Sequence, residues 1–275
     1  MRIVLIATVA LLLHDAAFGG LVIYYDMEGD AENVANPGTL DGFAAGDATF
    51  TGTGPASFGS SAELDGTNDA IAFGDLNTLD NATNFTVAAW YRRDVNKTGD
   101  EASGEATNHD VNNVLFANSS DGGNDNFEIG TQGNLIEVYI DSGSGGDDTT
   151  RTFDTTPLGG ITNGEWYHIA LTWDASADPE VVVYLNGQVA GTSADWNGGM
   201  LDDSTDNEAS LGYARHVNAM WGDLDGGIDE FRLYDMTLSQ SEIQAIAGIP
   251  EPGSFALLCF AALGLPVLRR FRVLR

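Results

Sequence analysis

Gly226-Gly227-Ile228-Asp229-Glu230-Phe231-Arg232-Leu233-Tyr234-Asp235, followed by Met236-Thr237-Leu238-Ser239-Gln240-Ser241-Glu242-Ile243, is the stretch that decides how the chain is read. After a Gly-Gly turn, Ile228, Glu230, Arg232 and Tyr234 alternate with Asp229, Phe231, Leu233 and Asp235, and a period of two predicts a strand. Ser239 then offers an N-cap oxygen, and Glu242 three residues on completes the spacing of a capping box for one short helix. A long strand that ends in a single capped helix is unusual in a chain otherwise poor in helical pattern.

Outward from that stretch the texture is uniform. Between Gly20 and Gly248, short β-branched and aromatic runs are separated by clusters of Gly, Asn, Asp, Ser and Thr. No Pro-rich linker or shift of composition divides them, so 20–248 reads as one domain. Strands are expected at 21–26, 62–64, 70–73, 85–93, 113–117, 126–130, 135–140, 150–154, 166–174, 180–185, 188–192, 209–213 and 227–234. Many short strands with almost no helix predict an all-β fold, a two-sheet antiparallel β-sandwich with one short C-terminal helix. In the 85–93 run, Phe85, Val87 and Ala89 face one way and Thr86, Ala88, Trp90 and Arg92 the other. Asn186-Gly187 between two apolar runs is the signature of a type I′ hairpin. The polar, acidic stretches 94–112 and 141–149 read as long surface loops.

The two ends read as processing signals. In residues 1–19, Arg2 is a minimal positive region, Ile3 to Leu13 is apolar, and Ala17-Phe18-Gly19 puts small residues at a cleavage site, the pattern of a secretory signal peptide. In 249–275, Pro250-Glu251-Pro252 precedes an apolar run from Ser254 to Leu268, and Arg269, Arg270, Arg272 and Arg275 follow it. An apolar run with arginines on one flank fits a single-pass membrane segment whose basic end stays cytoplasmic. These three parts resemble the PEP-CTERM protein-sorting signal of Gram-negative bacteria. The resemblance implies recognition by an exosortase, a transient inner-membrane anchor, and delivery to the cell surface or extracellular matrix. An ordinary retained anchor gives the same topology.

The whole chain has 41 acidic and 11 basic residues, a net charge of −30. Setting aside Asp15, Glu251 and the five arginines outside 20–248 leaves 39 against 6, a domain of −33. Such a surface repels phosphate backbones and argues against nucleic acid as a partner. It suits salty surroundings or divalent cations. The single cysteine, Cys259, lies in the apolar tail, so the domain folds without a disulfide.

Three blocks carry a resemblance for the domain. Ala62-Glu63-Leu64-Asp65-Gly66-Thr67-Asn68-Asp69 leads into a strand and then Phe85-Thr86-Val87-Ala88-Ala89-Trp90. Trp166-Tyr167-His168-Ile169-Ala170 is followed by Val183-Tyr184-Leu185-Asn186-Gly187, and Gly227 to Ile243 closes the series. In this order they resemble the laminin G-like, concanavalin A-like jelly-roll family, which implies a calcium ion where the first and last strands meet. By that resemblance the ligands are Asp229 and an acid of Tyr25-Asp26-Met27-Glu28, Asp26 or Glu28, with Asp65-Gly66 adding carbonyl oxygen.

No catalytic pattern stands beside this. Cleavage of a glycosidic bond needs two opposed carboxyl groups, and the E-x-D-x-x-E string of the endoglucanase members is absent. A hydrolase or lyase built from acids on distant strands stays open as an alternative, as does a purely structural matrix protein. The histidines are scattered, and His168 reads as a structural hydrogen-bonding residue. Trp90, Trp166 and Trp173 lie within strands and read as core. Trp196 and Trp221 sit among turn residues and, with Tyr213, are the candidate stacking surface for a sugar. The expectation is a calcium-stabilised, carbohydrate-binding recognition or adhesion module at the cell surface, without catalysis.

Overall fold

The computed structural model describes residues 20–55, 58–74, 76–98, 111–120, 127–140, 150–194, 207–216 and 219–248. The sorting-signal residues Pro250, Glu251, Pro252, Arg269, Arg270 and Arg272, the N-terminal signal, and Trp196 lie outside them. Among the described residues no helix is long and apolar enough to cross a membrane.

In chain order the strands are β1 (Leu21–Tyr25), β2 (Phe43–Ala45), β3 (Thr49–Thr53), β4 (Ser60–Asp65), β5 (Ala70–Gly74), β6 (Asn84–Arg93), β7 (Phe116–Ser120), β8 (Phe127–Gln132) and β9 (Leu135–Ile140). They continue with β10 (Arg151–Asp154), β11 (Trp166–Asp174), β12 (Val181–Leu185), β13 (Gln188–Ser193), β14 (Asn207–Leu211), β15 (Ala214–His216), β16 (Ala219–Trp221) and β17 (Asp225–Tyr234), and α1 (Gln240–Ile246) follows. Eight strands form one sheet in the order β13-β12-β11-β6-β17-β4-β3, with β1 also on β17. Seven form the other in the order β10-β9-β8-β7-β14-β5-β2, and β15 and β16 pair as a small ribbon. This is the antiparallel two-sheet sandwich that the sequence predicts.

The core lies between the sheets. Phe85, Val87, Ala89 and Tyr91 of β6 point into it, as do Ile169, Leu171 and Trp173 of β11. Opposite them Phe116 stands 5.5 Å from Phe127 and 5.3 Å from Phe231, so rings of both sheets interdigitate. The alternate residues Ala88, Ala170, Tyr184 and Tyr234 lie on the outer face of the eight-stranded sheet, under Leu238 and Ile243. That apolar patch docks α1. The helix has the expected capping box, with the Ser239 N–H donating to the Glu242 carboxylate at 2.7 Å. Asn186 and Gly187 take φ of 49° and 69°, as a type I′ turn requires.

Two departures bear on function. The alternation read in Ile228 to Asp235 is broken, because Ile228, Phe231 and Leu233 all face the core. The cause is a β-bulge between Asp229 and Arg232, with Glu230 at φ 53°. The strand expected at 113–117 begins instead at Phe116. Asn113, at φ 45°, leaves the ladder and donates its amide to the Lys97 and Thr131 carbonyls.

Candidate metal centre

The bulge sits where β17 changes neighbours. Ile228 pairs with Ala62 of β4, whereas Phe231 pairs with Tyr25 of β1. Asp229 and Glu230 therefore occupy the handover between the two partner strands. Asp229 is fully buried. Its Oδ1 accepts from the Glu230 N–H at 2.8 Å, and among the described residues its Oδ2 has no hydrogen-bond partner. Burial is the main reason its carboxyl is pushed up to about 8, and the Glu230 and Glu28 charges push the same way.

The turn from β3 to β4 folds against this oxygen. A Cβ on Gly54 would strike Asp229 Oδ2 and come 3.0 Å from the Ser60 carbonyl oxygen and 3.2 Å from that of Phe58. A Cβ on Gly59, at φ 68°, would strike the Glu28 carboxylate, whose Oε1 accepts from the Ser60 N–H at 3.1 Å. Two glycines thus keep side chains out of a space edged by an orphaned carboxylate oxygen, a second carboxylate and two carbonyls. That donor set fits a hard cation such as calcium, which takes about six to eight oxygens. Asp229, Glu28 and the Phe58 and Ser60 carbonyls are the residues that would hold it. Glu230 is already engaged, accepting from Tyr24 Oη at 3.0 Å and pairing with Arg232. Arg232 also stacks over the Tyr24 ring at 4.2 Å.

The four acids expected to form one centre are divided. Glu28 and Asp229 are brought together, and Asp26 accepts from the Glu28 N–H at 3.3 Å. Asp65 is elsewhere. It pairs in register with Asp225, four residues before Asp229, about 13 Å along the strand. There it joins Asp47 and Asp69, whose carboxylate oxygens lie within 4.8 Å of one another. Asp69 is buried, but its Oδ1 accepts from the Asp47 N–H at 2.8 Å and its Oδ2 from the Asp65 N–H at 2.9 Å. This second group can also meet a cation, although its central carboxylate is already bonded. Asp47 was invisible in the sequence because it lies 22 residues from its partner Asp69.

The aromatic expectations are redistributed as well. Tyr213 is only 6% exposed, so its ring offers no stacking surface. Trp221 closes the β15–β16 ribbon opposite Ala214, and its ring lies outside the described residues. Trp173 is core, but Trp90 and Trp166 are half-buried on the outer face of the eight-stranded sheet. His168 stands beside both in the fold, fully buried, with neither ring nitrogen hydrogen-bonded among the described residues. Only its backbone bonds, to Asn186, while the ring meets Trp90 edge-on at 5.6 Å. Burial drives its pKa down to about 3, so the ring is neutral.

The match to known families agrees with this architecture. Residues 65–244 match the Laminin_G_3 profile, described as the concanavalin A-like lectin/glucanases superfamily. No curated protein sequence matches the chain significantly. Among solved structures the chain is similar to domain 4 of a GH43 extracellular arabinanase from Geobacillus stearothermophilus, in complex with arabinotriose. The TM-score is 0.57 and the identity 20%, over 82% of this chain and 98% of that one. It is also similar to the receptor binding domain of botulinum neurotoxin C/D mosaic serotype, with TM-score 0.54 and 14% identity over 83% of this chain and 51% of that one. The binding domain of Paraclostridial Mosquitocidal Protein 1 gives TM-score 0.55 and 13% identity over 83% and 52%. At such identities these are likenesses of fold. The family profile spans well over half of the sequence, and the chain belongs to the concanavalin A-like lectin/glucanases superfamily.

Proposed function

We propose that this protein is an exported recognition module, stabilised by calcium and binding carbohydrate without chemistry. The observation that carries the reading is the buried Oδ2 of Asp229, which has no hydrogen-bond partner among the described residues and lies at the β1–β4–β17 handover within reach of the Glu28 charge. A carboxylate placed there is shut away from substrate, and it answers to a cation that ties the first strand to the last. Calcium supplies that tie, and the fold then serves as a frame for binding. The arabinanase domain, with its bound arabinotriose, supports a sugar as the ligand class. The apolar and arginine-flanked tail supports sorting by an exosortase to the cell surface or matrix.

The test is retention of the full chain on immobilised neutral polysaccharides in calcium and in EDTA. Retention in calcium supports the reading. Failure to bind any glycan overturns the sugar, and binding indifferent to EDTA overturns the metal.

A second reading rests on Glu128 and Glu137, both 5% exposed on adjacent strands β8 and β9. Glu128 opposes Tyr139 and Glu137 lies two residues from Tyr139 on the same outer face of the seven-stranded sheet. Diagonal neighbours of this kind have Cα atoms about 7–8 Å apart, compatible with a pair of glycosidase carboxyls. Release of reducing ends from a polysaccharide, lost in Glu128→Gln and in Glu137→Gln, would favour hydrolysis over binding.

A further inference from the structure

The outer face of the eight-stranded sheet carries a row of side chains that the metal centre does not use. Trp166 of β11, Arg92 of β6, Gly227 of β17 and Glu63 of β4 lie side by side in register. β11 and β17 flank β6, so Trp166 and Gly227 are two strand spacings apart, about 9.6 Å. Yet a Cβ on Gly227 would meet Trp166 Cη2 at 2.8 Å and Cζ2 at 3.1 Å. The indole therefore runs sideways across β6 and lies along the sheet, rather than standing up from it.

Arg92 fixes it there. Its guanidinium carbon is 5.1 Å from the indole centroid, within cation–π range. The same guanidinium bonds two carboxylates, Glu63 at 2.7 Å and Asp94 at 2.9 Å. The Glu63 and Asp94 side chains stay 30% and 38% exposed, although Glu63 Oε1 also accepts from Ser61 Oγ at 3.0 Å. The second indole, Trp90, lies on the same face, diagonal to Trp166 across the β6–β11 pair.

We propose that this row is the sugar-binding face and that its ligand is a neutral glycan chain lying across the strands. The inference rests on the carbohydrate reading above and moves its site from the loop aromatics to the sheet. The part of the indole that Arg92 leaves uncovered offers a π surface to the C–H face of a pyranose or furanose ring. The exposed carboxylates accept from the sugar hydroxyls, and the missing side chain at Gly227 lets the indole lie down beside them. The charge selects neutral glycans. Arg92 is neutralised by two acids, and a net charge of −30 repels uronate and sulfate chains.

The experiment is calorimetric titration of the full chain in calcium with arabino-, xylo- and cello-oligosaccharides, and with oligogalacturonate as the acidic contrast. Trp166→Ala is expected to weaken the best neutral ligand about tenfold or more, as truncation of a central tryptophan does in other interfaces. Gly227→Ala, which keeps the indole but displaces it, is expected to weaken the same ligand several-fold. Trp166→Phe guards against misfolding. It is expected to keep the wild-type melting temperature within a few degrees, retain partial affinity, and lose the ligand-induced change in tryptophan fluorescence. Wild-type affinity in Trp166→Ala together with loss in Trp221→Ala would overturn the placement and leave the carbohydrate reading standing. Binding of oligogalacturonate in preference to the neutral chains would overturn the ligand class. Absence of heat with every glycan would overturn the carbohydrate reading and this inference with it.

Discussion

The two acidic groups on β17 differ in one respect that decides what each can do. At the Asp225 end, Asp69 is surrounded by carboxylates, yet each of its oxygens accepts a backbone N–H, from Asp47 and from Asp65. At the Asp229 end, one buried carboxylate oxygen has no donor among the described residues. The first group is a turn held by its own hydrogen bonds, with the aspartate serving as staple. The second leaves open the acceptor that a cation would fill. Crowding of negative charge is thus a poor guide to a cation site in a chain this acidic, whereas an unsatisfied buried acceptor is a good one.

The sharpest way to break the contrast is to withhold calcium. An ion present at about a thousand times its dissociation constant adds about 4 kcal/mol to folding. For a domain of this size that is about 10 °C in melting temperature. We expect EDTA to lower the wild-type Tm by about that much, and Asp229→Asn to melt at one temperature with or without calcium. Scanning calorimetry in the two buffers checks both. An unchanged wild-type Tm would refute a cation at that acceptor, and loss of the calcium effect in Asp69→Asn instead would exchange the roles of the two groups.

Asp69→Ala should produce a smaller effect of a different kind. It strips acceptors from two backbone N–H groups, and an unmade buried hydrogen bond costs about 1–3 kcal/mol. Partial exposure of the Asp47 and Asp65 amides lets water recover some of that, leaving about 2 kcal/mol. The loss should be the same in calcium and in EDTA, read from chemical denaturation midpoints. A loss seen only in calcium would make this turn a metal site as well.

What the sequence disclosed follows the range of the interactions involved. The capping box at Ser239 and Glu242 and the Asn186-Gly187 turn are local, and both are found where their residues predict. The sandwich itself follows from strand patterning. The side on which Ile228 lies was not legible, since a single bulge residue reverses parity without any mark in the alternation. Nor was the separation of Asp65 from Asp229, which depends on the β4–β17 register. The place of Trp90 was legible and was misjudged. Its parity puts it with Arg92 and Ala88, opposite Val87 and Ala89, on the outer face, whereas its place within a strand taken alone predicts core. Asp26, Glu28 and Asp229 follow from likeness alone, and the structure sets the last two at one backbone handover with two glycines packed against their carboxylates.

His168 gives the smallest effect and separates the proposed calcium dependence from ordinary acid unfolding. It lies in the same cross-strand row as Asp229, with Trp90 between them, and it too is buried without a side-chain partner. Its pKa falls from 6.5 to about 3 because burial disfavours the imidazolium, with the Arg232 charge adding to that. The unfolded chain therefore binds a proton below about pH 6.5 that the folded chain refuses until about 3, so stability is lost as pH falls through that window. Between pH 7 and 5.5 the loss from this one group is about 1 kcal/mol. His168→Phe keeps an aromatic edge against Trp90 and removes the proton, so its folding stability in EDTA should fall less than the wild type's over that interval. Equal losses in the two proteins would mean that the imidazole takes up its proton in the folded state, and that the outer face of the sheet is wetter at this row than its burial implies.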